Sequence, residues 1–419
     1  MLPLPTRAEL AHSISVARMI GEHIAAAGGW LSFETFMQLA LYAPGLGYYS
    51  AGSAKIGRDG DFTTAPELSD LFSQCVARQC AQVLGRIGGS VLELGAGTGR
   101  MAASVLETLA SVGALPDQYA ILEVSADLRD RQRARIEQLP AELKRRVAWL
   151  DSLPAERMRG VILANEVLDA LPCQRVVVRS GDVRSLGVRL AGHPPTDADQ
   201  QAPAFTARSA ASPRGPGAEP FVASERSADE ALQREWQRLK GGLPAALPDG
   251  YRTEVCMQVQ PWIASLADCL DRGVVLLFDY GLPRAHYYHP QRSNGTLRCH
   301  FRHRAHDDPF VNVGIQDITA WVDFTRVAEA ADAAGLQVRG FATQAAFLLG
   351  LGIEALVAGG EAGARGPDAD IRAQARRASE ARQLLMPGEM GEVFKAIALA
   401  RDFDEPLRGF SLQDLRHLL

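Results

Sequence analysis

Residues 90–100, SVLELGAGTGR, combine a short apolar run with three glycines at alternate positions. The apolar run predicts a buried strand, and the residues after the last glycine have the spacing of an amphipathic helix. Glycine tolerates left-handed backbone angles and lets a ligand approach the chain closely. The first N–H groups of a helix have no partners within it and carry partial positive charge. This strand, turn and helix start therefore predict a binding site for a polar ligand.

The spacing of the glycines separates two classes of ligand that use such a turn. Dinucleotide sites have the pattern G-x-G-x-x-G, whereas this chain has G-x-G-x-G with an acidic residue inside the strand. The variant resembles motif I of class I S-adenosylmethionine (SAM) methyltransferases. The resemblance implies that the cofactor is bound by Glu93, Gly95, Gly97, Thr98 and Gly99.

The chain around this turn alternates short apolar strands with amphipathic helices, which indicates a parallel sheet with helices on both faces. The predicted strands are 90–95, 119–124, 146–151, 160–165, 274–278, 336–342 and 392–399. The predicted helices are 13–27, 33–42, 65–86, 99–112, 126–139, 226–240, 260–271, 324–334 and 368–386. Residues 174–190 predict a hairpin, and the Pro/Ala/Ser-rich residues 191–220 predict a flexible loop.

Ligands of an open parallel sheet bind beyond the carboxyl ends of its strands. Glu123 ends the second strand and could accept hydrogen bonds from both ribose hydroxyls of an adenosine; a solvated charge is the alternative. Asp151 and Ser152 follow the third strand and could bind the adenine amino group, with Leu150 or Leu153 packed on the ring. For these two residues, capping of a helix is the alternative.

Three polar residues, Asn165, Glu166 and Asp169, follow the fourth strand in apolar surroundings. A buried carboxylate requires a charged or hydrogen-bonding partner, and a guanidinium offers a planar fork that matches two carboxylates. We therefore predict that Glu166 and Asp169 face the methyl acceptor as catalytic residues, with Asn165 at the cofactor. Capping of the next helix by Asn165 or Asp169 is the alternative. The segment lacks the Asn-Pro-Pro-aromatic signature of methyltransferases that act on adenine or glutamine.

The start of the helix before the first strand predicts a cover for the cofactor. Thr64 and Glu67 have the spacing of a capping box, and Pro66 suits the first helical turn. Because this helix start precedes the glycine turn directly, we expect all three residues to close over the cofactor.

Five of the nine histidines lie between His286 and His306, together with Cys299. Histidine and cysteine are zinc ligands, but the spacing Cys-His-x-x-His-x-x-His fits no familiar structural pattern, and the interleaved arginines would repel a cation. We predict no metal site. The preferred interpretation is a polar loop over the substrate pocket, and an exposed loop without a role is the alternative. The residues expected to face the substrate are His303, His306, Asp307 and Asp317.

The bulk composition excludes some classes of function. The chain has 419 residues and a net charge of −5, so no global basic field favours nucleic acid. The six cysteines are scattered without C-x-x-C pairs, which indicates reduced thiols. No apolar stretch approaches the roughly 18 residues of a membrane span, and the first residues do not read as a signal peptide.

Motifs along most of the chain resemble the MidA-like family, which includes the mitochondrial complex I assembly-factor methyltransferases. They keep one order between about residues 30 and 400. The matching segments are 44–49 (PGLGYY), 60–67 (GDFTTAPE), 91–99, 164–172 (ANEVLDALP), 278–281 (FDYG), 317–320 (DITA), 323–324 (DF) and 390–395 (MGEVFK).

The resemblance implies an α/β fold of the Rossmann-like class I methyltransferase type. Its seven-stranded, mostly parallel sheet would have helices on both faces, with an N-terminal helical region and an inserted hairpin and helical substrate-binding subdomain. The expected divisions are 1–88 (N-terminal region covering the cofactor), 89–172 (first part of the SAM-binding core), 173–272 (insertion), 273–400 (second part of the core, with the His-rich substrate loop 284–320) and 401–419 (tail).

The resemblance also implies an activity and partners. The best-known relatives use SAM to dimethylate an arginine of a respiratory complex I subunit symmetrically. The implied partners are a protein substrate, such as a complex I subunit, and a second copy in a homodimer. A non-catalytic assembly factor and a methyltransferase for a small molecule stay open as alternatives. Because no segment resembles a mitochondrial transit peptide, we expect a bacterial-type cytoplasmic protein; the mitochondrial matrix would apply only to a eukaryotic member.

Overall fold

A computed structural model describes residues 2–51, 63–191, 221–359 and 367–419, with the backbone alone for 367–371. Its strands are β1 (Leu31–Ser32), β2 (Ser90–Leu94), β3 (Tyr119–Leu122), β4 (Val147–Leu150), β5 (Met158–Asn165), β6 (Gln174–Arg179), β7 (Asp182–Leu190), β8 (Phe221–Ser227), β9 (Arg252–Val255), β10 (Leu270–Leu282), β11 (Arg298–Phe301), β12 (Arg304–His306), β13 (Asp317–Thr319), β14 (Val322–Asp323), β15 (Gln337–Thr343) and β16 (Phe394–Arg401).

The helices connect and cover these strands. They are α1 (Arg7–Ala26), α2 (Phe33–Tyr42), α3 (Ala65–Leu68), α4 (Asp70–Ile87), α5 (Arg100–Ser111), α6 (Ala126–Ile136), α7 (Ala141–Lys144), α8 (Glu230–Gly241), α9 (Val259–Cys269), α10 (Arg284–Tyr287), α11 (Phe324–Ala333), α12 (Gln344–Gly350), α13 (Ile353–Ala358), α14 (Pro367–Leu385) and α15 (Met390–Val393). In the described ranges, none of them is both long and apolar enough to cross a membrane.

The central sheet has the strand order β15-β16-β10-β5-β2-β3-β4. From β10 to β4 the strands pair in parallel, whereas β16 is antiparallel to both β10 and β15. The predicted α/β architecture is therefore confirmed as a mixed sheet with helices. Seven strands were predicted and the sheet contains eight, because the two-residue β14 pairs in parallel with Gly281 and Leu282 at the end of β10.

Burial on both faces explains why the central strands are continuous apolar runs. In β10, Leu276 packs into the core on the side of α4 and α5, while Leu277 packs into the core on the side of α9 and α11. Both side chains are at most 1% exposed. The sheet is therefore held between two apolar layers, and its carboxyl edge is left as the place for polar residues.

Two smaller sheets lie outside the central one. The first has the order β1-β7-β6-β9 with β8 on the other side of β7, and it contains the predicted hairpin 174–190. The predicted helix 226–240 starts only at Glu230, because residues 221–227 pair with β7 as β8. The predicted loop 191–220 lies outside the described residues apart from residue 191.

The second small sheet, β12-β11-β13, lies in the segment 284–320, which was predicted as a loop. That prediction is wrong for residues 284–287, which form α10, and for residues 298–301, 304–306 and 317–319, which form hydrogen-bonded strands. The polar side chains of this segment hide the pattern, because only alternate residues such as Cys299 and Phe301 are buried. A half-buried strand of this composition reads as a loop in sequence.

Candidate functional site

The glycine turn after β2 uses left-handed backbone at all three glycines. The φ angles are 65° at Gly95, 53° at Gly97 and 79° at Gly99. The Gly95 N–H donates to the carbonyl of Leu122 at 3.0 Å, which anchors the turn to β3. Gly99 precedes α5 directly, and a Cβ at this glycine would lie 3.1 Å from the Cα of Gln132. Larger residues would therefore both strain the turn and collide with α6.

A buried glutamine links this turn to the end of β3. The Gln132 Nε2 donates to the Gly97 carbonyl at 2.9 Å and to Glu123 Oε2 at 3.1 Å. Its Oε1 accepts a hydrogen bond from Trp149 Nε1 at 2.9 Å. The other oxygen of Glu123 accepts the N–H of Ser125 at 2.9 Å. Gln132 thus fixes Glu123 against the glycine turn, so the predicted ribose-binding residue and the glycines form one site.

Glu123 is 4% exposed, and burial raises the pKa of its carboxyl above the usual value. The next residue, Val124, is 76% exposed although it is aliphatic. A buried carboxylate beside an exposed aliphatic side chain at the end of a strand suits a ligand that has both hydroxyls and an apolar ring.

Glu93 lies inside β2, as the sequence predicts, and is 1% exposed. Its Oε2 accepts the hydroxyl of Tyr119 at 2.5 Å. Burial raises the pKa of this carboxyl to about 7. The contact that the structure gives Glu93 is therefore with the core, and its predicted contact with the cofactor stays a prediction.

The predicted capping box at Thr64 is wrong. Thr64 precedes a helix of a single turn, α3, and its side chain makes no capping hydrogen bond. Glu67 is not available to complete a box, because its carboxylate accepts the Thr98 hydroxyl of the glycine turn. The helix breaks at Ser69, whose extended backbone and hydroxyl bond to the Leu71 N–H at 3.3 Å start α4 anew.

The hydrogen bond from Thr98 to Glu67 nevertheless brings α3 to the site. Arg100, the first residue of α5, donates to the Glu67 carbonyl and pairs with Asp70 at 2.9 Å. Thr64 and Pro66 are both buried at this junction. The segment 64–67 therefore lies against the glycine turn, where the sequence predicted a cover.

The residues predicted for adenine follow β4. Asp151 is paired with Arg129 at 2.6 Å and its side chain is 90% exposed. Together with Ser152 and Leu153 it lines a groove of about 490 Å³ that extends to Ser90 and Gln118, at the amino ends of β2 and β3. No residue of the glycine turn lines this groove, and the adenine contacts of Asp151, Ser152 and Leu153 stay predictions.

Beyond β5, Glu166 takes a left-handed backbone (φ 54°), which is uncommon for any residue other than glycine. Its N–H donates to the Phe278 carbonyl at 2.8 Å. Its Oε1 accepts Asn165 Nδ2 at 3.1 Å, and the backbone N–H of Ala65 also donates to the carboxyl group. α3 therefore contacts both the glycine turn and the first of the predicted catalytic carboxylates.

Asp169 lies one short turn further and is 5% exposed. Its Oδ1 is buried without a hydrogen-bond partner among the described residues. Next to it, Asp279 Oδ2 accepts the N–H groups of Leu168 at 2.9 Å and Asp169 at 3.2 Å. The structure thus brings a carboxylate from the carboxyl-terminal part of β10 beside the pair that follows β5.

Burial raises the pKa values of all three acids, and repulsion between their charges raises those of Glu166 and Asp279 further. Burial, reinforced by the charge of Asp169, raises the pKa of Glu166 to about 8. Burial raises the pKa of Asp169 to about 6, against a hydrogen bond from the Tyr280 hydroxyl that lowers it. Burial and the charges of Asp169 and Glu166 raise the pKa of Asp279 well above its ordinary value. Strongly perturbed acids that cluster at a sheet edge mark a candidate functional site.

Tyrosines from α2 and the loop after it close the cluster. The Tyr49 hydroxyl donates to Asp317 Oδ1 at 2.8 Å, and the Tyr42 hydroxyl donates to the Ala170 carbonyl at 2.9 Å. The two rings stack with centroids 5.4 Å apart. Asp317, predicted for the substrate loop, is 2% exposed and adds to the charge that raises the Glu166 pKa. The result is a cluster of carboxylates walled by aromatic rings.

The other three predicted substrate-loop residues lie on the hairpin of β11 and β12. His303 is exposed in its turn, and Asp307 pairs with Arg298 at 2.5 Å. His306 is half-buried, and its Nδ1 accepts the Asp308 N–H at 3.3 Å. Their contact with a substrate stays a prediction. In the described ranges, no three His, Cys, Asp or Glu side chains come together as a metal site.

The sequence analysis assigned no role to several residues of this site, although all of them except Val124 carried a signal. Gln132 is a neutral residue in the middle of a helix rich in arginine and aspartate. The tyrosines stand in or near a Gly/Tyr-rich segment, and Asp279 and Tyr280 directly follow the apolar run 274–278. The missed residues are Tyr42, Tyr49, Val124, Gln132, Asp279 and Tyr280.

Comparisons with known proteins agree on one class. A family model described as S-adenosyl-L-methionine-dependent methyltransferase matches residues 75–342. A solved COG1565 superfamily member from Burkholderia thailandensis, bound to S-adenosyl-homocysteine, is 40% identical, covers 100% of both chains and superposes with a TM-score of 0.87.

Two curated relatives are more distant. Protein arginine methyltransferase NDUFAF7, mitochondrial, of Danio rerio is 26% identical over 91% of this chain and 87% of its own. The homologue of Drosophila melanogaster is also 26% identical, over 79% of this chain and 72% of its own.

Proposed function

The chain belongs to the S-adenosyl-L-methionine-dependent methyltransferase family, and from this premise we propose that it methylates a guanidinium nitrogen of an arginine side chain in a protein substrate. SAM supplies an electrophilic methyl group on its sulfonium. The acceptor is inferred from the carboxylates at the carboxyl edge of the sheet. The two curated relatives support this inference, because both are named as protein arginine methyltransferases.

The residues at the glycine turn fit SAM. A Cβ at Gly99 would fill the space beside α6, so the turn stays open only with glycine. In this proposal the Glu123 carboxylate, which Gln132 and Ser125 hold by hydrogen bonds, accepts the ribose hydroxyls. The exposed Val124 side chain offers an apolar surface to an adenine ring.

The acceptor assignment rests on one observation: Glu166, Asp169 and Asp279 are buried close together, and no described lysine or arginine forms an ion pair with any of the three. Burying like charges together is costly unless a counter-charge arrives. A guanidinium carries that charge on a planar fork that can engage two carboxylates at once. Aromatic walls add attraction for a cation.

The proton released by methylation requires an acceptor, so we assign different roles to Asp169 and Glu166. Methylation of a guanidinium releases one proton, because the methylated product keeps a single positive charge. Asp169, with a pKa of about 6 and an unpartnered Oδ1, is ionised near neutral pH and accepts that proton. Glu166, with a pKa of about 8, keeps its proton until the guanidinium binds, releases it to solvent at that point and then aligns the guanidinium as a carboxylate. Positioning and electrostatics supply the catalysis, without a covalent enzyme intermediate.

The proposal is tested with radiolabelled SAM and protein extract of the source organism. We expect label in protein, and acid hydrolysis of the labelled protein should release methylarginine. Label in a small molecule would support a metabolite methyltransferase instead, and no incorporation would support a binding protein with this fold. Whether the labelled protein is a complex I subunit tests the substrate implied by the family resemblance.

Exchanging Glu123 for glutamine tests the ribose assignment. We expect the affinity for S-adenosyl-homocysteine to fall about tenfold or more, because a buried amide loses the charged acceptor for two hydroxyls. Calorimetry measures the change, and Glu137→Gln, an exposed residue just beyond α6, is the matched control. Wild-type affinity in Glu123→Gln would remove this residue from the cofactor site.

A further inference from the structure

We infer that Asp279 is a positioning residue, whose carboxylate fixes the turn 166–169 and thereby holds Asp169 in its orientation. The catalytic consequence of this inference rests on the proposed function, whereas its structural consequence does not. Nothing in the pattern of the sequence assigns this role, because Asp279 follows β5 by more than a hundred residues.

Three successive residues of β10 hold three parts of the turn. The Phe278 carbonyl accepts the N–H of Glu166 at 2.8 Å. The Asp279 carboxylate accepts the N–H groups of Leu168 and Asp169 at 2.9 and 3.2 Å. The Tyr280 hydroxyl hydrogen-bonds the Asp169 carboxyl group. The strand thus restrains the backbone of the turn and the side chain that the turn carries.

Both oxygens of Asp279 are used by backbone donors. While Oδ2 serves the turn, Oδ1 accepts the N–H of Tyr280 at 2.9 Å. The residue is 1% exposed. Asp169, by contrast, has a buried oxygen without a described partner. Asp279 is therefore committed to the protein itself, and Asp169 is the acid left to meet the acceptor.

The turn needs this restraint because its backbone is unfavourable. Glu166 has a φ of 54°, a left-handed conformation that a glutamate rarely adopts. Strained residues of this kind persist only where the surrounding structure holds them. On its other side the turn is anchored by the N–H of Ala320, which donates to the Asp169 carbonyl at 3.0 Å. Without Asp279, the N–H groups of Leu168 and Asp169 would be buried donors without an acceptor.

Asparagine cannot replace this aspartate. Its size is the same, but one of its two polar atoms is an NH₂ group, which donates. Since every neighbour of the Asp279 carboxylate in the contacts above is an N–H donor, the amide nitrogen would face a donor in either orientation. We therefore expect Asp279→Asn to resemble Asp279→Ala in function while preserving the volume of the side chain.

Hydrogen–deuterium exchange of peptides covering residues 164–173 tests the structural half. In Asp279→Asn and Asp279→Ala, we expect the amides of Leu168 and Asp169 to exchange about tenfold faster. Affinity for S-adenosyl-homocysteine should stay within about twofold of wild type, because the glycine turn is untouched. Asp323→Asn is the matched control: it is another buried aspartate that accepts a backbone N–H, that of Arg326 at 3.2 Å, outside this turn.

Steady-state methyl transfer tests the catalytic half. In the Asp279 variants we expect kcat to fall about 100-fold with a smaller change in KM, because the misplaced Asp169 carboxylate acts in the transition state. Unchanged exchange in both Asp279 variants would overturn the inference, as would faster exchange with wild-type kcat. If wild-type protein transfers no methyl group to arginine, the proposed function fails, and the exchange result still decides whether Asp279 holds the turn. If Asp279→Ala does not fold, Asp279→Asn carries the test.

Discussion

Replacing Asp169 with asparagine is expected to lower methyl transfer about 100-fold to 10,000-fold, the contribution typical of a general base. The asparagine keeps the volume but can neither take the released proton nor attract a guanidinium. Affinity for S-adenosyl-homocysteine should stay within about twofold, because Asp169 does not contact the glycine turn. Radiolabel incorporation and calorimetry measure the two quantities. Asp332→Asn, the same change at an exposed position of α11, is the control.

The pH dependence of stability distinguishes a loss of methyl transfer in Asp169→Asn from unfolding of the variant. Burial raises the pKa of Asp169 to about 6 in the folded protein, so the ionised carboxylate weakens the fold as pH rises through that value. At about pH 8, Asp169→Asn should therefore unfold at the same temperature as wild type or a higher one. Wild-type methyl transfer should rise between about pH 5 and about pH 8 as the acids ionise. Wild-type turnover in the variant would exclude Asp169 from the mechanism.

Replacing Gly97 with valine is expected to weaken S-adenosyl-homocysteine binding about 100-fold or more, near 2.7 kcal/mol. Gly97 has a φ of 53°, which a β-branched residue avoids, and its carbonyl is the acceptor for Gln132. A valine would shift the turn and fill the space into which the ligand must fit. Calorimetry measures the affinity, and thermal unfolding shows whether the protein is folded.

Gly113→Val supplies the matched control for backbone strain. Gly113 also has a left-handed φ, 69°, and a Cβ there would meet nothing within 4 Å. It follows α5 at the opposite end from the glycine turn. Both variants should therefore lose similar stability, and only Gly97→Val should lose the ligand. Equal affinities in the two variants would contradict the cofactor site at residues 95–99.

Local features could be predicted from the sequence because each is determined by the residues of a single continuous segment. The strand, glycine turn and helix at 90–111 depend on alternation, left-handed glycines and helical spacing, and the structure reproduces them. The failed capping box at Thr64 shows the limit of such reading. Thr64 and Glu67 have the spacing of a capping box, but the box does not form because the Glu67 carboxylate accepts the Thr98 hydroxyl instead. The strands β11 to β13 were missed for a related reason, since their pairing partners decide them more than their own residues.

The sequence by itself determined the α/β architecture, the glycine turn and the acids at the ends of the second and fourth predicted strands. Only the tertiary structure decided which distant groups join them. Tyr49 and Asp317 meet across 268 positions of the chain, and Leu168 and Asp279 across 111. Periodicity reports which side of an element is buried, whereas contacts between elements depend on how the whole chain packs. The carboxyl edges of β5 and β10 became one acidic site because the sheet places those two strands side by side.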